Sequence, residues 1–364
     1  MSRTLSELDL KPKLRQLTSQ VAFSLGLFLC LIATASTARA RSNKALSVFF
    51  VDVEGGQATL FVTPAHESLL IDTGWMGNDG RDANRIVAAA KRAGISKIDY
   101  VLITHFHADH VGGVPQLESR IPIGTFIDHG DNRETTDATT VEGWQAYQKV
   151  LATGKFKRIV AKPGDALPIR GIHATVVSSD GALITSPLPG AGQQNSSCDS
   201  AQQYSADQTE NFRSLGILIT FGKLRILDLG DLTNDQETKL MCPVNKLGRI
   251  DIYIVSHHGW SQSSSPVLVN GIAPRVAIMD NGAKKGGTPA VWEIIKKSPN
   301  IEDLWQLHFS EEGGPTHNPA PEFIANPSGT DEANYLELTA QPDGNFQVFN
   351  SRTQKSKDYP AASK

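Results

Sequence analysis

Cysteine is scarce in this chain, with three residues among 364. Cys30 lies in an apolar stretch near the N-terminus, which leaves Cys198 and Cys242 for the remainder. These two could pair in an oxidising compartment or stay as free thiols, because sequence alone does not place them within bonding distance. A metal site in this chain needs no thiolate, since imidazole and carboxylate suit zinc, iron or manganese.

Positive charge is not in excess either. The chain carries 35 Lys and Arg residues against 38 Asp and Glu residues, a formal net charge of −3, and it has no run of basic residues. A protein that binds long nucleic-acid duplexes usually shows a broad positive surface. The sequence therefore has no strong nucleic-acid footprint.

The longest apolar run, residues 21–33, is too short to span a bilayer comfortably as a helix. Basic residues at positions 11, 13 and 15 precede it, and Ala38-Arg39-Ala40 follows it. This pattern predicts a signal peptide over residues 1–40, cleaved near Ala40, and an exported protein that is periplasmic or secreted. After cleavage the protein would keep no stable membrane anchor and would carry a net charge of −6, because residues 1–40 hold five basic and two acidic residues. The alternative is that the segment stays as an uncleaved anchor.

The rest of the chain has room for one large domain with a substantial core. Apolar runs with β-branched residues predict strands at 46–53, 58–62, 68–71, 98–103, 125–128, 173–177, 215–221, 224–229, 250–255, 276–279, 335–339 and 346–349. Helical patterns predict helices at 82–92, 114–118, 141–151, 234–240 and 290–297. Residues 179–210 are rich in Ser, Gly, Gln and Pro, which is typical of a long functional or mobile loop. The order of elements predicts an α/β fold with two mixed β-sheets covered by helices.

The densest group of polar residues is His105-Phe106-His107-Ala108-Asp109-His110, which holds three of the ten histidines. A strand ending there would present His105 and His107 on alternate positions, pointing the same way. Asp109 and His110, where the chain turns towards a helix, would face a second point. The alternative is a surface loop that happens to be rich in His, but the strand in front of the cluster favours a metal site.

Three further apolar strands end in His or Asp. Residues 226–229 lead into Gly230-Asp231, residues 252–256 into His257-His258-Gly259, and residues 69–71 into Asp72-Thr73-Gly74. The carboxylate of Asp231 could bridge two metal ions through its two oxygens, and Asp72 would orient a ligand His from behind. Taken alone, the Gly-Asp motif of Asp231 and the Asp-Thr-Gly motif of Asp72 are each typical of an ordinary turn. Together with the histidine cluster, the three motifs predict one metal site.

In this combination and order, the residues resemble the metallo-β-lactamase fold superfamily, and within it the branch that contains the hydrolase domain of the competence protein ComEC. The resemblance spans roughly residues 46–310 and is carried by Asp52-Val53-Glu54-Gly55-Gly56-Gln57-Ala58, Ile71-Asp72-Thr73-Gly74, the cluster from His105 to His110, Asn211 with Ser214, Gly230-Asp231 and His257-His258-Gly259. It implies an αββα four-layer sandwich, with the hydrolase domain over residues 41–350 and a polar C-terminal tail over residues 351–364.

The resemblance also implies two divalent metal ions, with zinc as the first candidate and manganese or iron as others. The implied ligands are, in chain order, His105, His107, Asp109, His110, Asp231 and one of His257 and His258. The first two would hold one ion, Asp109 and His110 the other, and Asp231 would bridge them. The strand end favours His257 over His258 without separating the two. Asp109 and Asp231 would be the catalytic residues.

The chain departs from the superfamily at the first of these ions. The superfamily usually has a His ligand just before the strand that begins here near residue 215, and this chain has Glu210-Asn211 instead. Glu210, Asn211 or His129 would then lie near the first ion, behind its ligands or against the substrate.

Three functions are consistent with these residues. The first is an exported metal-dependent hydrolase in which a metal centre activates water towards a phosphodiester or phosphate ester. The second is a hydrolase of a lactone, a β-lactam or another acyl ester, because these substrates also develop a negative oxygen in the transition state. The third is a metal-binding protein without catalytic activity. The partner would be a small-molecule or phosphodiester substrate, and the sequence does not decide among the three.

Overall fold

The computed structural model of the protein describes residues 44–327 and 331–362. The predicted signal peptide, its cleavage position near Ala40, and Cys30 lie outside the described residues. Within the described ranges, no helix combines the length and the apolar character needed to cross a membrane.

Most strands follow apolar segments of the sequence. The strands are β1 (Leu46–Phe50), β2 (Thr59–Val62), β3 (Ser68–Ile71), β4 (Ile98–Leu102), β5 (Ile123–Asp128), β6 (Lys157–Val160), β7 (His173–Ser179), β8 (Ala182–Leu183), β9 (Gly216–Phe221), β10 (Leu224–Asp228), β11 (Ile252–Ile254), β12 (Val276–Met279), β13 (Asp303–His308), β14 (Ile324–Asn326), β15 (Leu336–Ala340), β16 (Phe346–Asn350) and β17 (Lys355–Tyr359). The helices are α1 (Arg81–Ala93), α2 (Ala108–Val111), α3 (Val114–Glu118), α4 (Ala138–Leu151), α5 (Asn234–Met241), α6 (Pro266–Ile272) and α7 (Pro289–Lys296).

The strands form two mixed sheets. In the described residues, one sheet has the order β17-β16-β15-β1-β2-β3-β4-β5-β6, and the other has the order β14-β13-β12-β11-β10-β9-β7-β8. Strands β3 to β6 are parallel in the first sheet, and β10 to β14 are parallel in the second. Because parallel strands end at the same edge of a sheet, the polar residues after β3, β4, β10 and β11 are brought to the sheet edges where those strands end.

Three apolar layers hold these sheets and helices together. Alternate residues of β1 separate cleanly: Val48 and Phe50 pack into a core that includes β9 and β11 of the other sheet, whereas Phe49 packs with Ile86 and Ala90 of helix α1. A third core places the outer face of the second sheet against helices α5, α6 and α7. Both sheets are therefore covered on both faces, which explains why their central strands are continuously apolar. The two mixed sheets flanked by helices match the predicted α/β four-layer sandwich.

Several elements were not predicted from the sequence. They are β6, β8, β13, β14, β17, α2 and α6. Strand β17 lies within residues 351–364, which the sequence treats as a polar tail, and it pairs antiparallel with β16. β17 is an edge strand in which Tyr359 is buried and the other residues are exposed, so its polar composition does not indicate a strand.

The long segment 179–210 is irregular, as its composition predicts, but it is tied to the domain. Its longest regular piece is a short 3₁₀ helix, Ser196–Ser200, which carries Cys198. Cys198 forms a disulfide with Cys242 across 44 positions of the chain. The alternative of two free thiols is therefore wrong.

Candidate metal centre

The site is assembled from strand ends of both sheets. After β4 the chain passes through Thr104 to the histidine cluster, and Asp109 and His110 lie in helix α2, one turn further on. Asp231 follows β10, and His257 and His258 follow β11. The two sheets thus face each other with His and Asp side chains at the same end.

Four of the predicted ligands converge tightly. One donor atom from each of Asp109, His110, Asp231 and His258 lies within 4.8 Å of the other three, and all four residues are buried. Nε2 of His110 is 3.2 Å from Nε2 of His258 and 3.2 Å from Oδ2 of Asp231. Segments almost 150 positions apart therefore meet at one point, as a shared metal centre requires.

The strand-end alternation favours His257, whereas the structure puts His258 in this group of four. Nε2 of His257 reaches Asp231 from another side, 3.4 Å from its Oδ2. The reason is local backbone geometry, because His257 and His258 both have positive φ, 54° and 53°. The alternation of a strand does not continue through residues in that conformation.

The predicted ligands of the first ion also face each other. Nε2 of His105 and Nδ1 of His107 are 3.1 Å apart, and Nε2 of His105 is 3.8 Å from Oδ2 of Asp231. Asp231 thus lies between the pair His105–His107 and the group around His110. This is the position that a bridging carboxylate requires.

Each of these imidazoles has one nitrogen turned inward and the other bonded to a neighbouring group. Two of them donate to oxygens: His110 Nδ1 to Asp72 Oδ2 at 2.7 Å, and His258 Nδ1 to the carbonyl oxygen of Asp280 at 3.2 Å. In the first pair, His105 Nδ1 lies 3.0 Å from Thr104 Oγ1 and His107 Nε2 lies 3.0 Å from Glu134 Oε2. His257 Nδ1 lies 3.3 Å from Ser263 Oγ. Metal-ligating histidines are held in this way, because the outer hydrogen bond fixes the tautomer and leaves the inner nitrogen with a lone pair.

Asp72 occupies the supporting position that the sequence predicts. It is fully buried, and its carboxylate accepts hydrogen bonds from the backbone N–H and the hydroxyl of Thr104 at 2.8 and 2.6 Å. The same carboxylate holds His110. Asp72 therefore orients a candidate ligand without entering the group of donor atoms.

The charges of the site suit a cation. Burial, together with the neighbouring His110 and His107, holds the pKa of His105 well below its ordinary value, so its imidazole is neutral and able to act as a ligand. Burial opposes ionisation of Asp231, but His110, His257 and His258 outweigh it and keep its pKa well below the ordinary value. Asp231 is therefore anionic.

The hydrogen bonding of Asp231 indicates whether these residues fit a metal ion. Its Oδ1 is buried and has no hydrogen-bond partner in the described residues. An anionic oxygen left without a partner is costly unless a cation satisfies it. Inward-facing nitrogens and this oxygen together form a donor set that fits a divalent metal ion.

Glu210, Asn211 and His129 are not part of the tight group of donor atoms formed by Asp109, His110, Asp231 and His258. The carboxylate of Glu210 bonds Nε2 of His129 at 2.9 Å and the backbone N–H of Arg133 at 2.9 Å. Its backbone N–H donates to Glu134, the partner of His107. Asn211 is buried, and within the described ranges its side-chain oxygen has no hydrogen-bond partner.

Sequence reasoning missed Thr104, Glu134 and Lys285. Thr104 stands directly before the histidine cluster, and its position at the strand end was a usable signal. Glu134 lies in an irregular loop and Lys285 in a Gly-rich loop, both far along the chain from their partners His107 and Asp109. No periodicity marks such residues, so only the fold identifies them.

Comparison with known proteins agrees with this architecture. Residues 51–193 match the family model described as the metallo-beta-lactamase superfamily. Recombination protein 2 of Haemophilus influenzae is 24% identical over 239 residues, which are 64% of this chain and 24% of that protein. Hydroxyacylglutathione hydrolase of Stenotrophomonas maltophilia is 34% identical over 87 residues, which are 24% of this chain and 32% of that enzyme. The chain thus spans a third or less of the length of these relatives.

The solved structures that match this chain are more distant in sequence. The metallo-beta-lactamase fold protein YhfI from Bacillus subtilis is 13% identical, with 72% of this chain and 95% of that chain covered and a TM-score of 0.43. A diphosphatase of the PhnP family is 14% identical, with 65% and 87% covered and a TM-score of 0.35. Residues 51–193 thus match a metallo-beta-lactamase superfamily domain, and the two mixed sheets and the histidine cluster after β4 agree with that match.

Proposed function

We propose that this protein is a metal-dependent hydrolase of a phosphodiester or phosphate ester. The observation that carries the proposal is the group Asp109, His110, Asp231 and His258, whose donor atoms lie within 4.8 Å of one another in a buried site. Superfamily membership supports a metallo-hydrolase of this kind. That the substrate is a phosphodiester or phosphate ester is an additional part of the proposal.

The donor arrangement supports two ions rather than one. His105 and His107 would hold the first ion, and Asp109, His110 and His258 the second. Asp231 would join both, because its Oδ2 is within 3.8 Å of His105 Nε2 and 3.2 Å of His110 Nε2. Nitrogen and carboxylate oxygen donors without thiolate favour zinc first and also fit manganese or iron.

Ions held there lower the pKa of water and stabilise negative charge on a substrate oxygen. The protein's own contribution is to fix the donor atoms and to keep the surroundings dry. Asp72 holds the ring of His110, and Thr104 holds the carboxylate of Asp72. Asp109, whose burial is outweighed by Lys285 and His110 so that its pKa is well below the ordinary value, is an anionic carboxylate that can accept a proton.

The relatives support a phosphodiester substrate more strongly than an acyl ester. Recombination protein 2 aligns with 64% of this chain, a longer stretch than the other relatives, which supports the phosphodiester hypothesis and the ComEC-like branch. Hydroxyacylglutathione hydrolases align with shorter segments, which keeps hydrolysis of an acyl ester or thioester as the second candidate. A non-catalytic metal-binding role is the third, and turnover of any ester would exclude it.

We also propose that the protein is exported. The N-terminal pattern of residues 1–40 predicts a signal peptide, and the disulfide between Cys198 and Cys242 is typical of an oxidising compartment. The formal net charge of −3 favours a small-molecule or short phosphodiester substrate over a long duplex.

The test compares metal content and ester turnover in the wild type and in Asp231→Ala. We expect the wild type to bind two divalent ions per chain and to release p-nitrophenol from bis-p-nitrophenyl phosphate faster than it turns over a chromogenic cephalosporin. Asp231→Ala should lose at least one ion and reduce turnover by about 10³-fold or more, because the shared carboxylate is removed. Elemental analysis and initial rates measure both effects.

His66→Ala is the matched control. His66 is exposed in the turn between β2 and β3, so this variant should keep the metal content and rate of the wild type. An Asp231→Ala protein with two ions and full activity would exclude the bridging role. Turnover of the cephalosporin alone would favour the acyl-ester hypothesis.

A further inference from the structure

We propose that Lys285 is a specificity-determining residue that binds an anionic oxygen of the substrate beside the metal centre. The inference rests on the proposed hydrolase function and adds to it the residue that recognises the charge of the substrate. Lys285 lies in the loop between β12 and α7, outside every motif that predicts the metal site from the sequence.

The ammonium group of Lys285 lies at the edge of the ligand group. It forms an ion pair with Oδ2 of Asp109, the same oxygen that is 3.2 Å from Nε2 of His258 and 3.3 Å from Nε2 of His110. Across residues 44–327 and 331–362, neither Asp109 nor Asp231 has another Lys or Arg partner. Lys285 is thus the cationic side chain that stands next to the reaction site.

The backbone of Lys285 is fixed against the centre. Its carbonyl oxygen accepts a hydrogen bond from the N–H of Gly282 at 2.9 Å, and the N–H of Gly287 donates to the carbonyl oxygen of His258 at 2.9 Å. Gly286 has a φ of 78°, and a Cβ there would collide with the carbonyl oxygen of His258. The loop can approach His258 this closely only with glycine at that position.

The side chain of Lys285 is also held in direction. Its Nζ lies 4.9 Å from the centre of the Trp75 ring, within the range of a cation–π interaction. The side chain is 26% exposed, so a ligand in solution can reach it. A positive group with three donors, held by an aromatic ring and open to solvent, is suited to bind an anionic oxygen.

Asp109 links this lysine to the cations. When the Asp109 carboxylate serves as a metal ligand, its charge is shared with the ion and it attracts the ammonium group less. Lys285 is then available to pair with a phosphate oxygen of the substrate. A neutral ester offers no such oxygen, so Lys285 would favour the anionic substrate.

The experiment uses Lys285→Met, which removes the positive charge and keeps an unbranched side chain of nearly the same length. Lys284→Met is the matched control, because Lys284 is the exposed neighbour of Lys285 in the same loop. Each zinc-loaded protein is assayed with bis-p-nitrophenyl phosphate, which is anionic, and with p-nitrophenyl acetate, which is neutral. Binding of inorganic phosphate is measured by calorimetry, and zinc content by elemental analysis.

We expect Lys285→Met to lower the ratio of kcat/KM for the phosphodiester to kcat/KM for the acetate by about tenfold or more, mainly through KM. Phosphate binding should weaken by a similar factor, zinc content should stay at the wild-type level, and Lys285→Arg should restore much of the ratio. An unchanged ratio with unchanged phosphate affinity, or a loss of zinc in Lys285→Met, would overturn the proposal. If the wild type hydrolyses neither ester, the hydrolase function fails, and phosphate affinity still decides the role of Lys285.

Discussion

At the scale of single residues, the polar group behind each histidine decides which ring nitrogen faces the centre. His110 is the strongest case, because its Nδ1–H donates a hydrogen bond to Asp72 and Thr104 in turn donates to the carboxylate of Asp72. All three residues are buried, so no water competes for these hydrogen bonds. The orientation of His110 is therefore set before a metal ion arrives.

Asp72→Asn tests this orientation. The amide has the same shape, but its NH₂ group cannot accept the hydrogen bonds that one carboxylate oxygen now accepts from His110 and Thr104. We expect metal affinity to fall by about 10- to 100-fold, the range for a lost partner of a ligating histidine. Competition with a chromogenic chelator measures the affinity.

Asp79→Asn is the control for that change, since Asp79 is exposed on the loop before α1. Its affinity should equal that of the wild type. Wild-type affinity in Asp72→Asn as well would mean that packing alone, without the hydrogen bond, orients His110.

The sequence predicts most of the residues that the structure brings together at the candidate metal centre, but it does not decide between His257 and His258. The pattern of alternating residues predicts His105 and His107 because the chain leaves the regular strand β4 at Leu102, shortly before them. It fails after β11, where both histidines adopt positive φ. The backbone of these two residues is held by hydrogen bonds to distant segments, from the N–H of His257 to the carbonyl oxygen of Gly230 and from the N–H of Gly287 to the carbonyl oxygen of His258, which only the folded chain provides.

At the scale of elements, the apolar strands that lead into the candidate site could be predicted, whereas strands of polar or mixed composition could not. β10 and β11 are short apolar runs, and their ends correctly locate Asp231 and the His257–His258 pair. β6 is largely exposed and β13 buries Gln306 and His308, so neither shows the apolar pattern of a strand. Their pairing with neighbours, rather than their composition, makes them strands.

A disulfide attaches the irregular segment 179–210 to the rest of the domain. The disulfide joins Cys198 on this segment to Cys242 just after α5, and Asn195 adds a hydrogen bond from its amide to the carbonyl oxygen of Val267 at 3.0 Å. We expect the double variant Cys198→Ser, Cys242→Ser to lower the free energy of unfolding by about 2–4 kcal/mol, because the unfolded chain regains the freedom of a long loop. Urea unfolding measures the change.

The zinc content of that double variant should remain at the wild-type level, since neither cysteine contacts the histidine ligands within the described ranges. Wild type treated with a reductant should show the same loss of stability, which separates the disulfide from the serine substitutions. An unchanged urea midpoint in both would show that the segment is held without the bond.

At the scale of the whole molecule, the metal centre joins the two sheets. The first sheet supplies the cluster from His105 to His110, and the second supplies Asp231, His257 and His258. The anionic carboxylates of Asp109 and Asp231 are buried close to each other, with His110 between them and the ammonium group of Lys285 against Asp109. Because buried groups of like charge repel each other, a cation bound between these carboxylates would stabilise the folded domain further.

Removing the metal should therefore loosen the contact between the sheets and lower the stability of the whole domain. At a free zinc concentration of about 100 times Kd, binding to the folded state alone contributes about 2.7 kcal/mol. For a domain of about 320 residues, that corresponds to a fall in Tm of roughly 4 °C when a chelator removes the ion. Scanning calorimetry before chelation, after it, and after zinc is returned measures the shift and its reversal. Asp231→Ala should show a smaller shift in Tm, because this variant binds less metal from the start. Equal Tm values of the wild type with and without zinc would mean that the metal does not contribute to holding the two sheets together.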